Sequence, residues 1–250
     1  MSFSDFSFKV YHFSQLESTN IHARNLIHAK SAKDGDLFIS AYQSNGKGQI
    51  KSTWQSEPGK NLLFSLVLEP NIQIQHQFFI SMAVANSLRE LIQQLANMAC
   101  EVKWPNDLML NGYKIGGILI ENHFSKGLIT HCIVGVGLNV NQVDFPADLK
   151  LASSLARETN KTYRLSTVME SWKPVFARYY TLIKARKWQK IKQIYHDNLF
   201  LKGRLARFED TEGEFEAEVQ GVNDQGYLLL KRSSGIKEYE LKQVRFIAKA

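Results

Sequence analysis

Apolar residues along the chain recur with two different periods. Alternation of apolar and polar residues, or a short apolar run between turn residues, is typical of a strand. Recurrence at steps of three and four residues is typical of a helix that faces a core. These patterns predict strands at 8–13, 37–42, 61–69, 101–104, 108–110, 113–121 and 128–141, and a helix over 78–95.

Cap and turn residues extend this prediction. The cap-type run Ser18-Thr-Asn20 predicts a helix that continues to about Lys30. The pair Asn111-Gly112 is a favoured two-residue turn and predicts a hairpin. The stretch 43–60 is a polar loop longer than a connector needs, and loops of that length commonly carry function.

The pattern changes in the last third of the chain. Helical signals run from about Ser166 to Asp197, and short alternating strands separated by turns follow from Gly203 to Ile247. Hairpin-connected strands beside segregated helices predict an α+β class with a mixed or antiparallel sheet, rather than a doubly wound parallel fold. We therefore predict a main domain over 1–200 and a small β-barrel domain over 201–250.

Length and composition limit the class of protein. The 250 residues are 44% hydrophobic, which is enough to bury one full core and leave length for a small second unit. No stretch approaches the roughly 18 to 20 uninterrupted apolar residues that a bilayer span needs. Met1 to Lys9 lacks the basic start and apolar run of a secretory signal. We therefore expect a cytoplasmic protein that makes no contact with a membrane.

The two cysteines, Cys100 and Cys132, lie inside apolar runs. They have neither CxxC spacing nor a nearby pair of histidines. His131 adjoins Cys132, but neighbours on a strand point to opposite faces. We predict buried, reduced thiols and no metal site.

The formal net charge of +7 permits nucleic-acid binding without demanding it. The densest basic stretch is 184–192, around Trp188, on a segment whose apolar spacing fits a helix. A solvated helix face is the first interpretation of this stretch. Docking of an acidic protein and binding of nucleic acid stay open as alternatives.

Glycine and lysine are concentrated in the loop Gln43-Ser-Asn-Gly-Lys-Gly-Gln-Ile-Lys-Ser-Thr-Trp54. Gly46 and Gly48 allow the backbone to approach a ligand closely, and Lys47 and Lys51 add charge suited to phosphate or carboxylate. The loop lacks the glycine spacing and the Gly-Lys-Ser/Thr ending of a Walker loop. Taken alone, it is equally compatible with a flexible surface loop.

The segment Lys103-Trp-Pro-Asn-Asp-Leu108 ends a predicted strand with a polar pair, which also suits a plain turn. The segment Lys114-Ile-Gly-Gly-Ile118 then starts the returning strand of the hairpin, so Lys114 is expected across from the strand that carries Asp107. Paired glycines inside an apolar strand lose packing unless something must approach the backbone. This indicates a ligand.

A third segment, Gly135-Val-Gly-Leu-Asn-Val-Asn141, has small residues at alternate positions. Gly135, Gly137 and Asn139 therefore share one face of a strand. Two glycines and a buried amide on one face indicate a concavity with hydrogen-bonding groups rather than a packed core.

Together these segments resemble the catalytic core of biotin-protein ligases. The resemblance covers nearly the whole chain, and the combination of 103–107, 114–119 and 135–139 is far more specific than any one of them. It implies a catalytic domain similar to class II aminoacyl-tRNA synthetases over 1–200, followed by an SH3-like barrel over 201–250. It also implies an enzyme that uses ATP and Mg²⁺ to activate biotin as biotinyl-5'-AMP, and then transfers it to a lysine of a biotin carboxyl carrier protein.

The resemblance implies roles for individual residues. Lys114 is implied to stabilise charge as the biotin carboxylate attacks the α-phosphorus of ATP, and Asp107 to orient or deprotonate the carrier lysine. The residues implied to contact biotin are Ser18, Thr19, Asn20, Gln43, Lys47, Gly48, Gln49, Lys114 and Gly117. Those implied to contact the nucleotide are Gly46, Lys47, Trp54, Trp104, Asn106, Gly135, Gly137 and Asn139.

The sequence departs from the commonest family pattern in the glycine loop, where Gly-Arg-Gly-Arg is usual and 46–49 read Gly-Lys-Gly-Gln. Lysine cannot supply the planar bidentate fork of arginine, so we predict retained activity with altered retention of the adenylate. The first strand is predicted to begin at Phe8, so residues 1–7 leave no room for a helix-turn-helix domain, and we expect no specific DNA binding. Whether the chain forms a homodimer is left open.

Two competing functions remain. A lipoate or octanoate ligase or transferase is similar in fold, but an octanoyl transferase uses a cysteine nucleophile, and neither Cys100 nor Cys132 lies in a predicted loop. A nucleic-acid-binding module is suggested only by the net charge and the small C-terminal barrel. It leaves the segment 103–107 and the paired glycines unexplained.

Overall fold

The computed structural model describes residues 6–49 and 52–247. The helices are α1 (Thr19–His28), α2 (Gln77–Ala96), α3 (Leu155–Thr159), α4 (Leu165–Lys184) and α5 (Trp188–Asp197). The strands are β1 (Lys9–Phe13), β2 (Asp36–Ser40), β3 (Leu62–Leu68), β4 (Ile72–Gln73), β5 (Cys100–Lys103), β6 (Asp107–Leu110), β7 (Tyr113–Ser125), β8 (Leu128–Leu138), β9 (Leu205–Asp210), β10 (Gly213–Val222), β11 (Leu228–Arg232), β12 (Gly235–Tyr239) and β13 (Arg245–Phe246). Among these residues no helix combines the length and the apolar character that crossing a membrane requires.

Strands β1 to β8 form one mixed sheet in the order β1-β2-β3-β8-β7-β6-β5, and β4 pairs with β8. The β1–β2 pair is parallel, and the other neighbours run antiparallel. Helices lie on both faces of the sheet. The predicted α+β class with a mixed sheet is therefore confirmed.

Side chains of β3 alternate between the two faces of this sheet. Leu66 and Leu68 belong to the main core, which includes the buried residues of α2 and α4. Val67 belongs to a smaller cluster with Ala23 of α1 and Ile133 of β8. The sheet thus has a thick helical layer on one face and the single helix α1 on the other.

The hairpin that carries the second predicted motif forms as expected. Asn111 and Gly112 join β6 to β7 with φ values of 51° and 81°. Two consecutive residues with positive φ are what a type I′ hairpin turn requires. The Asn-Gly pair therefore fixes where the chain reverses.

Strands β9 to β13 form a second, antiparallel sheet in the order β12-β11-β10-β9-β13. Phe208, Val219 and Leu228 are fully buried in it. Within residues 6–49 and 52–247, each of its outer strands, β12 and β13, pairs with one neighbour only. The structure thus shows an antiparallel sheet, and both the SH3-like barrel and the domain boundary at 200/201 stay predictions.

Two features of the helical prediction differ from the structure. The predicted segment 166–197 is divided into α4 and α5, because Arg186 between them has a φ of 54° that a continuing helix does not allow. Helix α3 was not predicted, since five residues are too few for a helical period to appear in the sequence.

Candidate functional site

An open cavity of about 1140 Å³, its mouth included, lies on the α1 side of the main sheet. All of the predicted site residues except Gly46 and Trp104 line it. These lining residues are Ser18, Thr19, Asn20, Gln43, Lys47, Gly48, Gln49, Trp54, Asn106, Asp107, Lys114, Gly117, Gly135, Gly137 and Asn139. Segments far apart in the sequence thus meet at one site.

A β-bulge brings Lys114 to the cavity face. Lys114 and Gly117 stand three residues apart, so in a regular strand their side chains would point to opposite faces. The β6–β7 register shifts between Leu108 and Met109, and Met109 pairs with Lys114. The shift leaves Ile115 without a partner in the pairing, and this single extra residue puts Lys114 and Gly117 on one face.

Lys114 and Asp107 form an ion pair in the cavity, with Nζ 2.7 Å from Oδ1. Their side chains are 38% and 21% exposed, so a ligand can reach both. Lys103, which was not predicted as a site residue, pairs directly with Asp107 across the β5–β6 hairpin. Burial lowers the pKa of Lys103, and the charge of Lys114 lowers it further, while Asp107 opposes both effects. Lys114 is therefore the cation in contact with this carboxylate, while the Lys103 Nζ atom lies over the Phe246 ring, 4.9 Å from its centroid.

Two glycines on neighbouring strands make room for an indole. Gly117 and Gly137 are cross-strand partners on β7 and β8. A Cβ atom on Gly137 would lie 2.3 Å from the Trp54 ring, and one on Gly117 would lie 3.1 Å from it. The Nζ atom of Lys114 is 5.8 Å from the centroid of the same ring. The group that approaches this backbone is thus Trp54 of the chain itself, and its indole forms one wall of the cavity.

At the other end of the cavity, a buried polar network surrounds the start of α1. The Thr19 backbone N–H donates to Gln43 Oε1 at 2.6 Å, and the Thr19 hydroxyl lies 3.1 Å from the same oxygen. Ser65 Oγ is 2.7 Å from Thr19 Oγ1 and 2.6 Å from Asn20 Oδ1. Ser18 stands at the N-cap of α1 but makes no side-chain capping bond. The cap acceptor comes instead from Gln43, a residue remote in sequence.

The described parts of the glycine loop, 46–49 and 52–54, pair with each other at the mouth of the cavity. The Gly48 N–H donates to the Ser52 carbonyl at 2.8 Å, and the Trp54 N–H donates to the Gly46 carbonyl at 3.0 Å. A Cβ atom on Gly46 would lie 2.7 Å from the Trp54 carbonyl oxygen. Gly46 is therefore buried behind Trp54 rather than in the cavity lining.

Lys47 is exposed at the cavity rim, and its Nζ atom is 3.4 Å from Asn45 Oδ1. Among the described residues, Lys47 forms no ion pair. Its charge is therefore available to a ligand. Lys51, the second predicted cation of this loop, lies outside the described residues.

Trp104 is the predicted site residue that the structure places elsewhere. It continues the alternation of β5 on the side of Val102, which faces the main core, and it is 4% exposed. Its indole N–H donates to the Gly226 carbonyl at 2.9 Å. Trp104 thus lines a neighbouring cavity, between the main sheet and the C-terminal sheet, and holds the two together.

Two amides line the cavity near the ion pair. The Asn106 side-chain N–H donates to the Ile118 carbonyl at 2.7 Å. Asn139 is 4% exposed, and its side-chain N–H donates to the Ser153 carbonyl at 3.0 Å. The Oδ1 atom of Asn139 is buried and accepts no hydrogen bond from the described residues. A buried acceptor without a donor is costly.

Several residues of the site, including four that shape its wall and its polar end, were not predicted. Phe145, Leu149 and Ala152 line the cavity, and Ser65 supports the polar network from β3. The Lys114 N–H donates to the Leu151 carbonyl at 2.7 Å, and this hydrogen bond connects the segment 145–152 to the site. Apolar residues in an irregular segment, such as those after Asn139, could have indicated the wall of a cavity. Ser65 gave no such indication, because it stands in an ordinary strand.

Neither cysteine offers a reactive thiol. Burial raises the pKa of Cys100 to about 12 and raises the pKa of Cys132 as well. Both thiols are free and buried, as predicted. Because a thiolate is the nucleophilic form, these groups are unsuited to acyl transfer. Within the described part of the chain, no cluster of three or more His, Cys, Asp or Glu residues is arranged to hold a metal ion.

The chain is similar in sequence to known ligases. The sequence profile of the biotin/lipoate A/B protein ligase family matches residues 12–139. The chain is 30% identical, over 92% of its length and 71% of the relative's, to the bifunctional ligase/repressor BirA of Bacillus subtilis. It is 24% identical, over 93% of its length and 98% of the relative's, to the biotin–[acetyl-CoA-carboxylase] ligase of Paracoccus denitrificans.

Solved structures show the same fold. The biotin protein ligase of Aquifex aeolicus in complex with biotin and ATP superposes with a TM-score of 0.81 at 22% identity. The superposition covers 96% of this chain and 99% of that one. The family profile spans just over half of the chain, and the residues it matches include Lys114, Asp107 and the four glycines that line the cavity. The chain therefore belongs to the biotin/lipoate A/B protein ligase family.

Proposed function

We propose that this protein is a biotin-protein ligase, which joins biotin through biotinyl-5'-AMP to a lysine of a biotin carboxyl carrier protein. The observation that carries the proposal is the Lys114–Asp107 ion pair inside a cavity whose two ends differ in chemistry. One end has short polar side chains on α1, and the other has an indole, amides and glycines. A ligand with a polar ring at one end, a carboxylate in the middle and a nucleotide at the other end would match this arrangement.

The polar end suits the ureido ring of biotin. That ring presents one carbonyl acceptor and two N–H donors, which require short polar partners. Ser18, Thr19, Asn20 and Gln43 supply hydroxyl and amide groups, and the first three are 3% exposed. Lys47, Gly48 and Gln49 lie at the mouth, where they would close over the biotin carboxylate.

The other end suits a nucleotide. Trp54 offers the face of a large aromatic ring, and Asn139 lines the same end of the cavity. Gly137 leaves the space that the Trp54 ring occupies in this wall of the cavity. We assign the adenylate to this end, with Asn106 beside the phosphate.

Lys114 would act in the first step, in which two anions must meet. A biotin carboxylate oxygen forms a bond to the α-phosphorus of ATP, and the bond from that phosphorus to the β-phosphate bridging oxygen breaks, releasing pyrophosphate. A fixed ammonium between the carboxylate and the phosphate offsets their repulsion and stabilises the charge that develops in the transition state. Removal of one such group commonly costs a factor of about 100 to 1,000 in rate.

Asp107 would act in the second step. The amine of the carrier lysine forms a bond to the acyl carbon of biotinyl-5'-AMP, AMP leaves with the electrons of the acyl–oxygen bond, and the amine loses a proton. Asp107 lies next to Lys114 in the cavity, so its carboxylate is suited to orient the amine and accept that proton. Closure of the glycine loop over the cavity would keep water from the mixed anhydride.

Mg²⁺ would enter with the nucleotide. This ion keeps several waters and binds through one or two carboxylates together with substrate phosphates. Asp107 is the carboxylate that lines the cavity in the described part of the chain, so the residues present fit an ion held mainly by ATP. Its chemistry there is to neutralise phosphate charge.

The same proposal includes finer points of identity. The partner would be the carrier domain of a biotin-dependent carboxylase, met in the cytoplasm. The catalytic unit would be related to class II aminoacyl-tRNA synthetases, and the C-terminal sheet would be an SH3-like barrel.

Exchange of labelled pyrophosphate into ATP tests this function. We expect exchange with biotin and none with lipoate or octanoate, and Lys114→Ala should reduce it by about 100-fold or more. Lys161→Ala, at an exposed position before α4, is the matched control and should exchange at the wild-type rate. Exchange that depends on lipoate rather than biotin, or that survives Lys114→Ala at full rate, would disprove the assignment.

A further inference from the structure

Glu121 stands directly behind the polar end of the cavity. It lies on the same face of β7 as Gly117 and Leu119, because alternate residues of a strand share a face. Its Oε1 atom accepts a hydrogen bond from Asn20 Nδ2 at 2.9 Å. Its Oε2 atom accepts one from Arg24 Nε at 3.0 Å and a second, shorter one from Arg24 Nη2. Glu121 therefore contacts a predicted biotin-binding residue without lining the cavity itself.

The Asn20 amide is held from both sides. Its nitrogen faces Glu121 and the Leu119 carbonyl, at 2.9 Å and 3.5 Å. Its oxygen is 2.6 Å from Ser65 Oγ, and Ser65 is fully buried. A Cβ atom on Gly135 would lie 2.2 Å from Asn20 Oδ1, so that oxygen occupies the space above the glycine. The amide oxygen thus points toward the cavity as an acceptor.

A carboxylate is suited to fix this orientation because it accepts hydrogen bonds and donates none. With Glu121 behind it, Asn20 must turn its NH₂ group to the back and its oxygen to the front. A glutamine at the same position has both a donor and an acceptor, and it would satisfy either orientation of the Asn20 amide. The charge of Glu121, not its length, therefore determines which group of Asn20 meets the ligand.

We propose that Glu121 is a positioning residue for the ring of biotin, acting through Asn20. Glu121 orients the Asn20 amide so that its oxygen can accept a hydrogen bond from a ureido N–H. The Asn20 NH₂ group, which would oppose that N–H, is held away from it. The inference rests on the proposed function, since it assumes that the polar end of the cavity receives the ring. It concerns affinity for biotin only, because Glu121 lies far along the strand from Lys114 and Asp107.

The simpler explanation is that Glu121 only ties α1 to the sheet through Arg24. Asn20 and Arg24 are one turn apart on α1, so both reach Glu121 from the same side of the helix. The Arg24 and Glu121 side chains are 38% and 25% exposed, and ion pairs of that exposure contribute little to stability. The two explanations differ in what they predict for variants that break the same ion pair.

Two variants separate them. Glu121→Gln removes both the ion pair and the orienting charge, whereas Arg24→Ala removes the ion pair and leaves the carboxylate behind Asn20. We expect Glu121→Gln to raise the KM for biotin in pyrophosphate exchange by about tenfold, with the KM for ATP unchanged. Arg24→Ala should raise the KM for biotin by no more than about twofold. Aspartate in Glu121→Asp still only accepts hydrogen bonds, so the KM for biotin of this variant should lie between those of the wild type and Glu121→Gln.

Ser65→Ala provides an independent arm that leaves the Arg24–Glu121 pair intact. It removes the donor to Asn20 Oδ1 and should also raise the KM for biotin selectively; it decides the question if Glu121→Gln does not fold. Equal effects of Glu121→Gln and Arg24→Ala, or an unchanged KM for biotin in Ser65→Ala, would overturn the positioning role. A wild-type protein without biotin-dependent exchange would instead refute the proposed function itself.

Discussion

Gly137 and Trp54 are packed so closely that no side chain fits between them. A Cβ atom on Gly137 would lie 2.3 Å, 2.6 Å and 2.7 Å from three carbon atoms of the indole. These contacts are much closer than the approximately 3.5 to 4.0 Å at which carbon atoms attract each other. The glycine is therefore a condition for the observed position of Trp54, and through it for that wall of the cavity.

Gly137→Ala should displace the Trp54 ring. We expect the variant to lose about 1–3 kcal/mol of unfolding free energy, the usual cost of overpacking, and to show a raised KM for ATP. Equilibrium unfolding and steady-state exchange measure the two effects. The control is the same change in a Trp54→Ala background, where the clash is absent; a cost of Gly137→Ala that is equal in both backgrounds would refute the contact as its cause.

The sequence predicted those site residues whose type is unusual for the strand in which they occur. Glycines inside an apolar strand and a lysine beside them need a reason, so Gly117, Gly137 and Lys114 could be identified from local pattern. The β-bulge that turns Lys114 to the cavity face could not, because alternation by itself puts it on the opposite face from Gly117. What fills the space above the glycines, Trp54 and Asn20, also depends on tertiary packing.

Residues with an ordinary local pattern were missed, or were grouped with the site although they lie outside its cavity. Ser65 is one polar residue in an apolar strand, and only the meeting of β3 with α1 shows what it supports. Trp104 was grouped with the site because it belongs to the same motif as Asp107. By strand alternation, Trp104 faces the core on the same side as Val102. There its indole N–H donates to the Gly226 carbonyl. Membership of a motif therefore did not determine which face a residue occupies.

Asp107→Asn should separate the two steps of the proposed reaction. The amide cannot accept the proton of the carrier amine, so transfer to the carrier should slow by about 100-fold or more. Biotin-dependent pyrophosphate exchange should change much less, because Lys114 is retained. Single-turnover transfer from preformed adenylate measures the second step alone.

Hydroxylamine is the control for that variant. It is a nucleophile that is uncharged at neutral pH and needs no base to free its electron pair. We expect it to consume the adenylate equally fast with Asp107→Asn and with the wild type. Slow trapping by hydroxylamine, or equal loss of exchange and of transfer, would show that Asp107 acts on adenylate formation or on the site as a whole.

The double substitution Lys47→Arg with Gln49→Arg should slow release of biotinyl-5'-AMP. Two guanidinium groups at the rim offer bidentate hydrogen bonds to carboxylate and phosphate, which the lysine and the glutamine do not. We expect the dissociation half-time of the adenylate to lengthen by about tenfold. Lys161→Arg, outside the cavity, should leave the half-time unchanged. An unchanged half-time in the double variant would show that the loop residues do not determine retention.

The buried thiols make stability depend on pH in the alkaline range. Burial raises the pKa of Cys100 from 9.0 to about 12, and raises that of Cys132 as well. Above about pH 9 the unfolded chain therefore releases protons that the folded chain keeps, and the free energy of unfolding falls as the pH rises. The stabilisation is fully present below about pH 9, and each thiol contributes a slope of about 1.4 kcal/mol per pH unit above it.

Denaturant titrations between about pH 7.5 and pH 10 measure this slope. Burial also raises the pKa of Tyr180 and of Tyr195, so the part due to a thiol is the difference between the wild type and Cys132→Ala. Cys132→Ala is the control, because it removes one of the two thiols and should roughly halve the slope that they cause. Thiol reagents should modify the native protein slowly at pH 8 and the unfolded protein rapidly, with no loss of exchange activity in the native sample. A flat stability profile between pH 9 and pH 10, or rapid modification of the native thiols with loss of activity, would contradict the burial of both cysteines and reopen a nucleophilic role for one of them.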